Sequence, residues 1–86
     1  MKVVAKDIEM VVWFSKEGIK PLKFRYEDDS GSYITVKVDK IISKSQEKLC
    51  GNLTLIFECQ SLIGSEMKLY QVKYFVSEMK WILWKI

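Results

Sequence analysis

Histidine is absent from this 86-residue chain, arginine and proline occur once each, and cysteine occurs twice. Each scarcity excludes something. Without histidine there is no side chain whose ordinary pKa lies near neutrality, so the commonest general base is missing. A Cys–His nucleophile pair cannot form. A structural zinc site takes about four nitrogen or sulfur ligands, and Cys50 and Cys59 supply only two. No glycine-rich loop of the phosphate-cradling kind is present. No metal, no cofactor and no catalytic role are expected. The apolar run Met10–Phe14 is five residues long, far short of the roughly 20 that a membrane-spanning helix needs.

Thirteen of the fourteen basic residues are lysine, and Arg25 is the exception. Arginine suits bidentate contact with phosphate and guanine. Its scarcity argues against a protein that reads base sequence, and leaves looser phosphate contact open. Net charge is only +3, a balance shared by many proteins with no anionic partner. Residues Met1–Asp7 lack the apolar core of a signal peptide, so a cytoplasmic location is expected. Two unpaired thiols fit a reducing compartment, with Cys59 as a small buried hydrophobe.

What is abundant is alternation. Almost half of the residues are hydrophobic and 29% are charged, the composition of a folded chain. Eighty-six residues make one domain, 1–86, of modest core, burying about two-thirds of its unfolded surface. The clearest unit is Lys20–Ile42. Leu22, Phe24 and Tyr26 alternate with Lys23, Arg25 and Glu27, and Ile34, Val36 and Val38 with Thr35, Lys37 and Asp39. Between them Asp28-Asp29-Ser30-Gly31 is a turn signal, so the unit reads as a β-hairpin. Pro21, unable to donate to a ladder, suits the start of its first strand.

The same pattern places a strand over Asp7–Phe14, with Val11 and Trp13 expected to be covered on a second side. Ser43–Asn52 is polar and reads as a loop with at most one helical turn near 43–50, with Ser43 or Ser45 as cap and Gly51 as stop. Further strands are expected over Leu53–Gln60, Glu66–Val76 and Lys80–Ile86, with Ser61–Ser65 as a connection. Six short strands and no convincing helix predict an all-β domain, a small antiparallel barrel or strongly curled sheet, which hides one apolar face and reduces exposed edges.

Two constellations bear on function. Trp13, Trp81 and Trp84 are many tryptophans for this length, and alternation sends Trp81 and Trp84 to opposite faces. An exposed tryptophan beside aliphatic residues suits a protein-binding hot spot or a homodimer interface; the alternative is a second small core under the terminal strand. Lys23, Arg25, Lys37 and Lys73, with Tyr33, would form a basic face able to hold single-stranded nucleic acid by phosphate contact and stacking. The alternative is that these cations only keep that face soluble. The acidic run Glu27-Asp28-Asp29 matches no calcium-loop spacing and reads as a solvated turn. The leading expectation is a non-enzymatic interaction or self-association module using an aromatic strand. Weak, sequence-tolerant nucleic-acid binding is the second.

Four pieces, Pro21-x-x-Phe24-Arg25-Tyr26, Tyr33-x-x-x-Lys37-Val38, Tyr70-x-Val72-x-Tyr74 and Trp81-x-Leu83, occur in that order. Together they resemble uncharacterised small β-barrel domains of bacteria, some encoded beside or fused to error-prone DNA polymerases. Tyr26 stands where those domains carry tryptophan. The resemblance implies a barrel, and an accessory role near nucleic acid.

Overall fold

A computed structural model describes residues 1–86. Seven strands and one 3-10 turn follow in the order β1 (Val3–Ser15), β2 (Gly18–Glu27), β3 (Tyr33–Lys37), β4 (Lys40–Leu49), β5 (Asn52–Ile63), β6 (Glu66–Phe75), the turn Val76–Glu78, and β7 (Lys80–Lys85). They form one antiparallel sheet with the spatial order β3-β2-β1-β7-β6-β5-β4. Its two edge strands, β3 and β4, are consecutive in the chain and joined only by Val38 and Asp39. A link that short reaches about 10 Å at most, so the outermost strands must meet at that corner. The sheet therefore curls almost fully round, yet stays open, because β3 and β4 share no ladder. Beyond the corner β3 packs across onto β5 instead.

Alternation lines the interior. Leu55, Phe57, Cys59 and Ser61 of β5 and Tyr70, Val72 and Tyr74 of β6 are buried. Ile8, Phe24, Val36, Trp81 and Leu83 come from the remaining strands to complete the core. Tyr74 stacks on Trp81 with centroids 4.6 Å apart, and Phe24 meets Tyr70 edge-on at 5.5 Å. Such pairs contribute about 0.5–1.5 kcal/mol each beyond area burial. Pro21 is buried opposite Val12, where the β1–β2 register shifts. A bulge can accommodate the missing N–H that an unbroken ladder could not.

There are seven strands where alternation predicts six, because the expected strand Tyr33–Ile42 is broken at Val38-Asp39. At that corner the Val38 N–H donates to the Leu22 carbonyl at 2.9 Å. The Asp39 N–H donates to Ser61 Oγ at 3.3 Å, and Asp39 Oδ2 accepts the Leu62 N–H at 2.8 Å. Ser61 Oγ also lies 2.6 Å from the Tyr70 hydroxyl. The expected loop or helical turn near 43–50 is instead most of β4, laddered to β5 from Lys40↔Gln60 to Leu49↔Asn52. Beyond Ile41 every residue of β4 is exposed, so no side-chain burial marks it in the sequence. Its turn is Cys50-Gly51, both at positive φ (51° and 82°), the two-residue hairpin geometry matched to strand twist. Ser61–Ile63, expected as a connection, belongs to β5.

Burial pushes the Tyr70 phenol up to about 12 from its ordinary 10.0. Its raised value stabilises the fold fully below pH 10, and this contribution is lost as pH rises through about 12. Tyr70→Phe leaves Ser61 Oγ without its buried partner and is expected to cost about 1–2 kcal/mol in urea unfolding near neutral pH. The variant should also show a shallower loss of stability between pH 10 and 12 than the parent. Equal alkaline losses would refute this role for Tyr70.

Candidate functional site

β1 is thirteen residues long, whereas β7 beside it has six. β7 pairs with β1 only as far as Ile8↔Trp81. From Glu9 to Ser15, β1 is laddered to β2 on one side and to nothing on the other. That overhang leaves a row of backbone N–H and C=O groups free along an edge. The side chains it carries are apolar on both faces. Val11 and Trp13 point outward and are exposed, Trp13 by 62%. The expected second cover over these two residues is not there, and both stand exposed. Met10 and Val12 continue the core stripe, and Phe14, the last of it, runs past the sheet and is 69% exposed.

A groove of about 620 Å³ lies between this edge and the β6–β7 turn. Met10, Val12 and Phe14 form one wall, and Tyr74, Met79 and Trp81 the other. Met79 sits at φ 51° in the left-handed region and is 80% exposed. The acids on the rim are partly engaged: Asp7 pairs with Lys80 at 3.3 Å, and Glu9 Oε1 accepts from Arg25 Nε at 2.9 Å. Glu78 has no basic partner. The groove is a mostly apolar slot with a charged rim, beside the stretch of β1 that β7 does not reach.

The three tryptophans take three different places. Trp81 is 8% exposed, stacked on Tyr74 and 5.7 Å from Phe57, so it is a core residue whose flank closes the groove floor. Trp84 is half-buried, with Lys73 Nζ 4.2 Å from its ring centroid. Trp13 alone is open. Trp84 lies near the Val3 end of β1, where Val3 pairs with Lys85; ten strand residues, roughly 30 Å at about 3.3 Å each, separate it from Trp13. The tryptophans therefore do not form one patch.

The basic row also divides. Lys23 faces Lys37 directly across the β2–β3 ladder, and Arg25 faces Thr35 on the same side of the sheet. The Arg25 guanidinium lies 4.6 Å from the centroid of Tyr33. Hydrogen bonding to Glu9, then its charge, raises the Arg25 pKa further. Lys73 is elsewhere, on β6, with β1 and β7 intervening, and it pairs with Glu47 at 3.6 Å. At the acidic turn, Asp28 Oδ1 accepts from the Ser30 N–H, the Ser30 hydroxyl and the Ser32 N–H. The Ser30 hydroxyl is the main cause that holds this carboxyl below its ordinary range. Cys50 and Cys59 are both free; burial pushes the Cys59 thiol up to about 12, which leaves it inert at neutral pH.

No family model matches this chain, and no curated protein or solved structure is found similar to it. The pieces that carry the resemblance to bacterial barrel domains, Phe24, Tyr70, Val72, Tyr74, Trp81 and Leu83 among them, are core residues. What they specify is packing.

Sequence reasoning singled out Trp13 but missed Met10, Phe14 and Met79, because the groove they line forms only where β1 outruns β7 beside the β6–β7 turn. The arrangement fixes an order of solvent access among the indoles. In acrylamide quenching of the monomer, at dilution that prevents self-association, Trp13→Phe is expected to remove most of the readily quenched emission, Trp84→Phe a smaller part and Trp81→Phe almost none. Undiminished quenching in Trp13→Phe would show that this end of β1 is covered.

Proposed function

We propose that this protein is a non-enzymatic, cytoplasmic interaction module that accepts an extended segment by strand addition along Glu9–Ser15 of β1. The observation that supports it is the overhang. Seven successive residues have a ladder on one side only, and the segment Met10–Phe14 within them carries no charge, proline or glycine. Natural sheets usually blunt such edges with lysine, proline or a covering loop. Here the edge is left apolar and a groove is kept open beside it. A segment pairing there gains main-chain hydrogen bonds, while alternate side chains fall into the groove or against Trp13.

A second copy of the chain fits the edge. Antiparallel pairing about Val12 sets Met10 opposite Phe14 and Val11 opposite Trp13, and places no like charges face to face. Aromatic–aliphatic cross-strand pairs contribute roughly 0.2–1 kcal/mol each. Trp13 is the natural anchor, and truncating such a residue at an interface typically costs about 2 kcal/mol or more.

Size-exclusion chromatography with light scattering tests the reading. A dimer that persists at high salt is expected, because apolar pairing is little screened. Val11→Lys with Trp13→Lys puts two charges on exposed positions and should return a folded monomer. Trp13→Ala alone, carried by both copies, should raise the dimer dissociation constant roughly 1,000-fold, corresponding to about 2 kcal/mol for each copy. A dimer unaffected by either change would move the interface away from β1. A parent protein that stays monomeric throughout would leave only a different chain as the added strand.

A further inference from the structure

We propose that the cleft at the β3–β4 corner holds the phosphate backbone of a single-stranded nucleic acid. Lys20 and Lys23 of β2, Lys37 of β3 and Lys40 of β4 line one open cavity of about 750 Å³. Its apolar lining is Val11 of β1 with Pro21, Leu22, Val38 and Ile41. This surface shares no lining residue with the groove beside β1, although Val11, on the outward side of that strand, lines the cleft.

The charge there is compensated only in part. Lys23 and Lys37 are direct cross-strand neighbours, an arrangement in which like charges destabilise a sheet. The ion pairs in the structure use Lys6, Arg25, Lys73 and Lys80, and none uses a cleft lysine. Asp39 is the one acid in the lining, and its Oδ2 is engaged by the Leu62 N–H. The chain has fourteen basic and eleven acidic side chains; setting aside the four cleft lysines and Asp39 leaves ten of each. The net charge of +3 thus belongs to this cleft, and the rest of the chain is neutral.

The layout favours a run of phosphates over one small anion. The four lysines come from three strands along an open trough. Lysines are flexible point charges that follow a backbone without reading bases. The apolar lining gives sugars and base faces a place to lie. Along the same sheet face, two residues from Lys23, Arg25 lies over Tyr33, whose ring is 58% exposed and offers a surface for stacking.

Fluorescence anisotropy with a labelled oligothymidylate, titrated with the full chain at rising salt, tests the proposal. Three to four phosphate contacts at about 0.7 each predict a slope of log affinity against log salt of roughly −2 to −3. Lys23→Glu with Lys37→Glu should weaken binding at least about 10-fold and flatten that slope. Lys20→Gln with Lys40→Gln, at exposed positions and without charge reversal, should weaken it in the same direction. Lys2→Glu with Lys48→Glu, which makes the same change of net charge outside the cleft, should leave affinity within about 2-fold. Equal loss in that control, unchanged affinity in the cleft variants, or no binding to the oligonucleotide at low salt would overturn the proposal. So would cleft-dependent binding to phosphatidylserine vesicles in a protein that ignores the oligonucleotide.

Discussion

Everything in this fold depends on a corner two residues long. Val38 and Asp39 join strands that are the two outermost members of a seven-strand sheet, so the sheet has to roll until its edges meet. The corner is held by the Val38 N–H on the Leu22 carbonyl and by Asp39 bridging to Ser61 and Leu62. Behind it Tyr70 presents its hydroxyl to Ser61 while its ring packs against Phe24. A buried hydroxyl left unpartnered is costly, and here each hydroxyl is the other's partner. A small core with no covering helix is closed off by this polar clasp together with the aromatic pairs around it.

Rolling the sheet has a geometric consequence at its opposite end. Strands of unequal length cannot all end together, and β1 exceeds β7 by seven residues. The excess is built from Met10, Val11, Val12, Trp13 and Phe14, residues that would suit a central strand. Of these Val11, Trp13 and Phe14 are exposed, while Met10 and Val12 stay half-buried against the core. The groove under Met79 marks the place where a further strand would continue the sheet. A polar, lysine-bearing overhang would have been an ordinary protected edge; this one is not protected.

Charge is organised by the same topology. Most charges lie on outward strand positions, as solubility requires, and several find partners on other strands, Arg25 with Glu9 on the neighbouring β1 and Lys73 with Glu47 across the intervening β5. At the corner this neutralisation fails. β2, β3 and the start of β4 each bring lysine, and the one nearby acid is engaged by the backbone that forms the turn. The clasp that closes the fold therefore also leaves a basic trough beside it.

Much of this could be read from residue order. Period-two alternation located β2, β5, β6 and β7 closely, because each buries one face and exposes the other, and burial of a face is written in side-chain type. The hairpin around Asp28–Gly31 and the curled all-β class came from the same signal. β4 could not be read, since an edge strand exposed on both faces has the composition of a loop and is held by backbone ladders that any residue can make. Nor could the break at Val38-Asp39, which is held by hydrogen bonds to Leu22, Ser61 and Leu62, all distant in sequence. By itself the sequence determined which side chains lie inside and which outside along most strands. Only the tertiary structure decided which strands adjoin, and with it that Trp81 is core while Trp13 is open, that Lys73 stands apart from Lys23 and Lys37, and that Lys20 and Lys40 join them. Alternation is a local property of the chain, whereas adjacency depends on closing the sheet through a corner whose partners are distant in sequence.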